Sequence, residues 1–199
     1  FFHGVYLINL GTEKEENLDK AVDSLTAHLR LSADIDAFGV IFHLGSHKGR
    51  GFDNVLPQVV SSMNHILNDT PENTWLIIEN AAGMGNHIGA SFIEIGKVIK
   101  EMASPRVKVC LDTAHTFAAG YNIATQEGME EAMNEFDREI GFERLRKGDL
   151  DELLTTNSVS LDPQDLPIRR LSIAPLLGEA IKRIHTHSSI SSLFKIKGF

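Results

Sequence analysis

Trp75-Leu-Ile-Ile-Glu-Asn80 is an apolar run that ends on a carboxylate. Such a run, bounded by polar residues and a glycine-rich turn, predicts a buried strand over Trp75–Glu79 with its chemistry at the C-terminal end. The same arrangement recurs on both sides. Upstream, Phe38 to His43 leads into Phe42-His-Leu-Gly-Ser-His47, and downstream Val107 to Leu111 leads into Asp112-Thr-Ala-His115. A first strand is read over Val5 to Leu10, with His3 beside it. His43 and Glu79 are 36 residues apart and Glu79 and Asp112 are 33 apart. This is close to the roughly 30 residues of one βα unit in a (β/α)₈ barrel.

Between these strands the apolar residues fall at helical spacing. Leu18, Val22, Leu25 and Leu29 mark one helix, with Thr12 and Glu15 read as its capping box. Val55, Val59, Met63 and Ile66 mark a second, Phe92, Ile95, Ile99 and Met102 a third, and Met129, Met133, Phe136 and Ile140 a fourth. Strands alternating with amphipathic helices imply a parallel sheet covered on its faces. The expected fold is α/β, of (β/α)₈ TIM-barrel type but incomplete, with about four central βα units. A doubly wound sheet is the alternative, but no G-x-G-x-x-G follows the first strand.

The 199 residues are 42% hydrophobic, which is enough for one substantial core, and no apolar run reaches membrane-span length. The chain starts at Phe1, in what already reads as a strand, so it is expected to be a piece of a longer barrel. Residues 1–146 are read as the barrel domain and residues 147–199 as a divergent, irregular tail. Pro163, Pro167 and Pro175 punctuate that tail, and a short helix is expected around Leu176 to Ile184. Cys110 is the only cysteine, so no internal disulfide forms, in keeping with a reducing compartment. The net charge of −8 lacks the basic footprint usual for phosphate binding, although bound cations reverse a local field.

His3, His43, Glu79, Asp112 and His115 all sit at one end of the expected strands. Each has a second reading. A histidine such as His43 also serves as a hydrogen-bonded structural residue. Glu79 is either a ligand bridging two metals or a carboxylate held by an amide or a base, because it cannot be buried unpaired. Asp112 is either a ligand or the N-cap of a helix beginning near Thr113. His47 is placed behind the ligands or near substrate. Ala82 to Gly85 is either a plain turn or a phosphate cradle at a helix N-terminus. Together, imidazole and carboxylate donors without cysteine fit Zn²⁺ or a similar divalent cation with open positions, suited to hydrolysis.

The motifs His3 to Leu10, Phe42 to His47, Ile77 to Gly85 and Val109 to Asn122 resemble, in order, those of the endonuclease IV family of AP endonucleases. The resemblance runs to about Leu145. It implies a xylose isomerase-like (β/α)₈ barrel with three zinc ions and hydrolysis of the phosphodiester 5′ to an abasic site in base excision repair. It implies His3, His43 and Glu79 as ligands, Glu79 bridging two metals, Asp112 on the second and His115 on the third. Glu79 and Asp112 would then be central to catalysis, and Tyr6 would contact DNA at the lesion. Leu44, Ala81, Met84 and Ala114 stand where the family has proline, threonine, glutamine and cysteine. The first two barrel strands are not found, nor are the later His-Leu-Asn-Asp, Asp-Arg-His and Leu-Glu-Thr motifs.

The resemblance therefore leads to double-stranded DNA with abasic sites as partner, a monomer, no membrane, and a cytoplasmic (bacterial-type) or nuclear setting. A partial zinc set and weak or absent activity of this chain are expected. Two alternatives are a metal-dependent sugar isomerase or epimerase on a related barrel and a degenerate, non-catalytic product.

Overall fold

The computed structural model describes residues 1–141, 153–156, 168–171 and 174–186. The chain divides into two compact units, Phe1–Glu143 and Arg144–Phe199. In the first unit the elements alternate: β1 (Phe2–His3), α1 (Glu15–Asp34), β2 (Gly39–Phe42), α2 (Phe52–Asn68), β3 (Trp75–Glu79), α3 (Phe92–Met102), β4 (Val107–Cys110), α4 (Thr113–Ala118) and α5 (Gln126–Ile140). The four strands are all parallel and lie in the order β1-β2-β3-β4. A doubly wound sheet reverses its strand order at a switch point. This one does not, so it is a segment of a TIM-type barrel.

One face of each strand packs on the helices. Val40, Phe42, Leu76 and Ile78 point that way and meet Leu25, Leu29, Val55, Val59, Met63, Ile66 and Ile95, all buried. A smaller cluster of Phe92, Ile123, Ala132 and Phe136 joins α3 to α5. The register pairs Ile41 with Ile77, Ile77 with Lys108, and Glu79 with Cys110. With period 2, these residues share the opposite, barrel-interior face. That face carries His3 (paired with Ile41) and, one step beyond the ladders, His43 and Asp112.

Two expectations from the sequence are corrected. The strand read over Val5 to Leu10 is only Phe2–His3, and the chain then turns, with the Ile8 amide donating to the Val5 carbonyl. Ile8 and Leu10 are buried, whereas Tyr6 and Leu7 are 84% and 91% exposed. The apolar run is thus a loop anchored at its far end, where the Leu10 amide donates to the Leu44 carbonyl. Next, α1 starts at Glu15 with Lys14 as its N-cap, and the Thr12 hydroxyl accepts from the Lys14 amide, so Thr12 forms a local turn and not the expected capping box. The described part of the second unit contains two short parallel strands, β5 (Leu153–Thr156) and β6 (Ile168–Leu171), and a helix, α6 (Ala174–His185). The helix covers the stretch read as helical. The strands were not read, being four residues each with little apolar pattern.

No described helix is long and apolar enough to cross a membrane.

Gly96 in α3 lies against α5. A Cβ there would sit 2.5 Å from the Glu139 carbonyl oxygen. Alanine is the better helix former by about 1 kcal/mol, but overpacking against a fixed backbone costs about 1–3 kcal/mol. Gly96→Ala is therefore expected to lower the urea midpoint, a net loss of up to about 2 kcal/mol. A raised midpoint would show that α3 and α5 can separate freely.

Candidate metal centre

Glu79 closes β3 on the interior face and is 7% exposed. A carboxylate so buried requires partners. His3 Nε2 lies 2.7 Å from its Oε2, His43 Nε2 3.4 Å from the same oxygen, and His115 Nδ1 3.4 Å from Oε1. Asp112 Oδ2 is 3.9 Å from His115 Nδ1. The donors form two groups, His3–His43–Glu79 and Glu79–Asp112–His115, and within each the donor atoms lie within 4.8 Å of one another. Glu79 belongs to both.

The surroundings of each imidazole differ. His3 Nδ1 is 2.8 Å from the Gly4 carbonyl, which only accepts, so this nitrogen carries a proton while Nε2 faces Glu79. Burial alone would lower the His3 pKa, but the hydrogen bonds to Glu79 and Gly4 and the Glu79 charge outweigh it, and the net shift is upward. His43 moves the other way. Burial is the largest cause, the Glu79 charge opposes it, and the neighbouring His115 and His3 rings add to it. Nδ1 of His43 is buried with no hydrogen-bond partner. One buried carboxylate therefore faces one imidazole that favours a proton and one that resists it. A divalent cation would replace that proton, since metal binding requires neutral imidazole and displaces protons.

The donor set fits a metal. Tetrahedral nitrogen and oxygen ligands at about 2.0–2.1 Å from an ion stand roughly 3.3 Å apart. The His43–Glu79 separation matches this, and His3 would have to withdraw from Glu79 by about half an ångström.

Asp112 takes the capping role read from the sequence, and its geometry leaves the other one open. Its Oδ1 accepts from the His115 amide at 2.8 Å, capping α4, while Oδ2 remains free of that bond. His115 sits in the first turn of α4, and its Nδ1 donates to the Asn80 carbonyl at 3.0 Å. Tyr6 stands on the exposed loop after β1 with its ring 5.8 Å from that of His43. His47 belongs to neither donor group. Its Nδ1 accepts from the Gly49 and Gly51 amides, shaping the entry into α2. The Ala82 to Gly85 stretch lies in the loop after β3, and α3 begins only at Phe92, so no helix N-terminus stands behind it. Sequence reasoning missed Asn80, a buried amide linking β3 to the Asp112 loop. Its signal was a polar residue directly after Glu79 at the end of an apolar strand.

Residues 1–153 match the family model described as a xylose isomerase-like TIM barrel. The chain is 36% identical over 145 residues to "Probable endonuclease 4" of Halothermothrix orenii, a match covering 72% of this chain and 52% of that protein. The crystal structure of endonuclease IV from Thermus thermophilus superposes with a TM-score of 0.60 at 35% identity, covering 71% of this chain and 49% of that one. A 3-keto-D-glucoside 4-epimerase from E. coli gives the same TM-score at 13% identity, over 92% of this chain and 77% of that one, which is a likeness of fold alone. The chain spans about half the length of the curated relatives it matches.

Asn and Asp are nearly equal as N-caps, and Ala costs about 1 kcal/mol. Asp112→Asn is thus expected to keep thermal stability while losing metal affinity, and Asp112→Ala to lose both. Equal metal affinity in Asp112→Asn and the parent chain would reduce Asp112 to a cap.

Burial pushes the Cys110 thiol up to about 11, and the Glu79 and Asp112 charges add to the shift. At pH 8 its alkylation by iodoacetamide is expected to be more than about tenfold slower than in denaturant. Above the ordinary thiol value of about 8.5, rising pH favours the unfolded thiolate, so the Cys110 contribution to stability falls towards pH 11.

Proposed function

The chain belongs to the xylose isomerase-like TIM barrel family, and we propose that it carries part of the active face of a zinc-dependent AP endonuclease. The proposed reaction is hydrolysis of the phosphodiester 5′ to an abasic site in double-stranded DNA, as a step of base excision repair. The observation that carries this reading is Glu79, shared by two donor groups at the C-terminal end of parallel strands. Relatives bearing the name "Probable endonuclease 4" support it.

In this proposal His3, His43 and Glu79 hold one Zn²⁺, and Glu79, Asp112 and His115 a second. Bound zinc supplies Lewis acidity and a nucleophilic hydroxide near neutral pH. The protein's part is placement. Glu79 fixes the spacing of the two groups, and the Gly4 and Asn80 carbonyls fix the tautomers of His3 and His115. Tyr6, raised on the exposed loop beside His43, contacts DNA at the lesion. An abasic nucleotide costs less to turn out of the helix than a paired base, so selection for the lesion is partly made by the substrate. The net charge of −8 repels DNA, and the cations offset that repulsion locally.

Five donors, one of them shared, are a partial set for a three-zinc centre. This 199-residue chain is accordingly expected to act as a monomer and to cut poorly. On a duplex containing one tetrahydrofuran abasic analogue, trace incision on the 5′ side is expected, abolished by chelator and restored by Zn²⁺. Elemental analysis is expected to give at most two zinc ions per chain. A chain that binds no zinc would overturn the metal-centre reading, and cutting that ignores chelator would overturn the mechanism.

A further inference from the structure

Asn80 follows Glu79 directly and is 1% exposed. Its side chain makes three hydrogen bonds. Oδ1 accepts from the Asp112 amide at 2.7 Å, and Nδ2 donates to the Asp112 carbonyl and to the Thr116 hydroxyl oxygen, both at 3.1 Å. The Thr116 hydroxyl in turn donates to the Asp112 carbonyl at 2.7 Å. The main-chain carbonyl of Asn80 accepts from His115 Nδ1. One residue therefore grips the backbone of Asp112 on both sides and sets the ring of His115.

These bonds supply a tie that the strands do not. The β3–β4 ladder ends at the Glu79–Cys110 pair, and beyond it the Asn80 amide donates to the Cys110 carbonyl only at 3.4 Å. Past that point the position of Asp112 relative to Glu79 depends on the Asn80 side chain. Among the described residues, no comparable bridge involves His3 or His43. His3 is held by β1 pairing and the Gly4 carbonyl, and His43 follows β2.

We infer that Asn80 is a positioning residue dedicated to the second donor group: it holds Asp112 and His115 at bridging distance from Glu79, and leaves the His3–His43–Glu79 group independent of it. This rests on the metal-centre reading above. Its distinctive consequence is selectivity. Loss of the amide should release one of two cations, not both, because only one donor group is tied through it. Outer partners of metal ligands are typically worth about 10- to 100-fold in affinity.

The experiment is Co²⁺ titration of the 199-residue chain, followed by its visible absorption, with circular dichroism and thermal melts alongside. The variants are Asn80→Ala, Asn80→Ser and Thr116→Val. Asn80→Ser keeps a short acceptor and covers the case in which Asn80→Ala does not fold. Thr116→Val removes two bonds of the buried network, one of them to the Asp112 carbonyl, but leaves both Asn80 grips on the Asp112 backbone, and so reports what general loosening does. The parent chain is expected to take up two ions. Asn80→Ala and Asn80→Ser are expected to bind the first as the parent does and the second about 10- to 100-fold more weakly, while Thr116→Val keeps both. Parent protein that takes up fewer than two ions overturns the two-group reading and this inference with it. Parent and Asn80 variants that bind two ions alike overturn this inference alone. So does equal loss of both ions in the Asn80 variants, or the same single loss in Thr116→Val.

Discussion

The burial of Glu79 is the constraint on which the rest of the centre depends. A carboxylate at the end of an apolar strand is tolerated only with compensating partners, and three imidazoles supply them from β1, the end of β2 and α4. None of the three is close in sequence, so the compensation exists only when the strands lie in this order and register. The same requirement that makes Glu79 costly in isolation gathers one carboxylate and three imidazoles in a poorly solvated place, an arrangement that suits the proposed cation. The opposite shifts at His3 and His43 reflect that arrangement: burial lowers His43 against the pull of the Glu79 charge, whereas at His3 the bonds to Glu79 and Gly4 outweigh burial.

The register converts a simple alternation into a site. On β2, β3 and β4 the residues that build the core and those that face the barrel interior alternate strictly. The helices take up Val40, Phe42, Leu76 and Ile78, which leaves the interior positions free of that packing role. The donors cluster at the C-terminal ends of the strands, the end that serves chemistry in barrels of this type. Lys108 and Cys110 occupy the same face lower down, and burial, with the charges of Glu79 and Asp112 added, raises the Cys110 thiol pKa.

Much of this was legible in the sequence, for physical reasons that also explain the misses. The runs ending at Phe42 and Glu79 are largely buried on both faces and so read as continuous apolar strands. The helices read clearly because Val55, Val59, Met63 and Ile66 must all face one sheet. Val5 to Leu10 misled because its apolar residues serve two ends: Ile8 and Leu10 fill the core, while Tyr6 and Leu7 stand in solvent at the barrel rim. Hydropathy does not separate a buried strand from an apolar loop. Thr12 misled because its hydroxyl serves an amide two residues on as readily as a helix start. His47 stands outside both donor groups, its Nδ1 accepting from the Gly49 and Gly51 amides. Asn80 escaped altogether, because its partners are backbone groups 32 residues away and backbone partners leave no mark on the sequence.

Asp112 shows why the two readings of a polar residue need not compete. A carboxylate has two oxygens. At a strand-to-helix junction one can close the first turn while the other faces the strand ends. Capping orients the side chain and makes Oδ2 available in a fixed direction, which a carboxylate on a free loop would have to achieve at an entropic cost. The helix start also brings His115 round to the same side, three residues on. Structural and chemical roles thus coincide because the geometry that satisfies the helix is the geometry that presents the donors. The same holds for Asn80, whose carbonyl and amide serve the fold and whose effect falls on the spacing of Glu79, Asp112 and His115. The hydrogen-bond requirements of the strand ends fix the donor positions, so the proposed cation would draw on order that folding has already established.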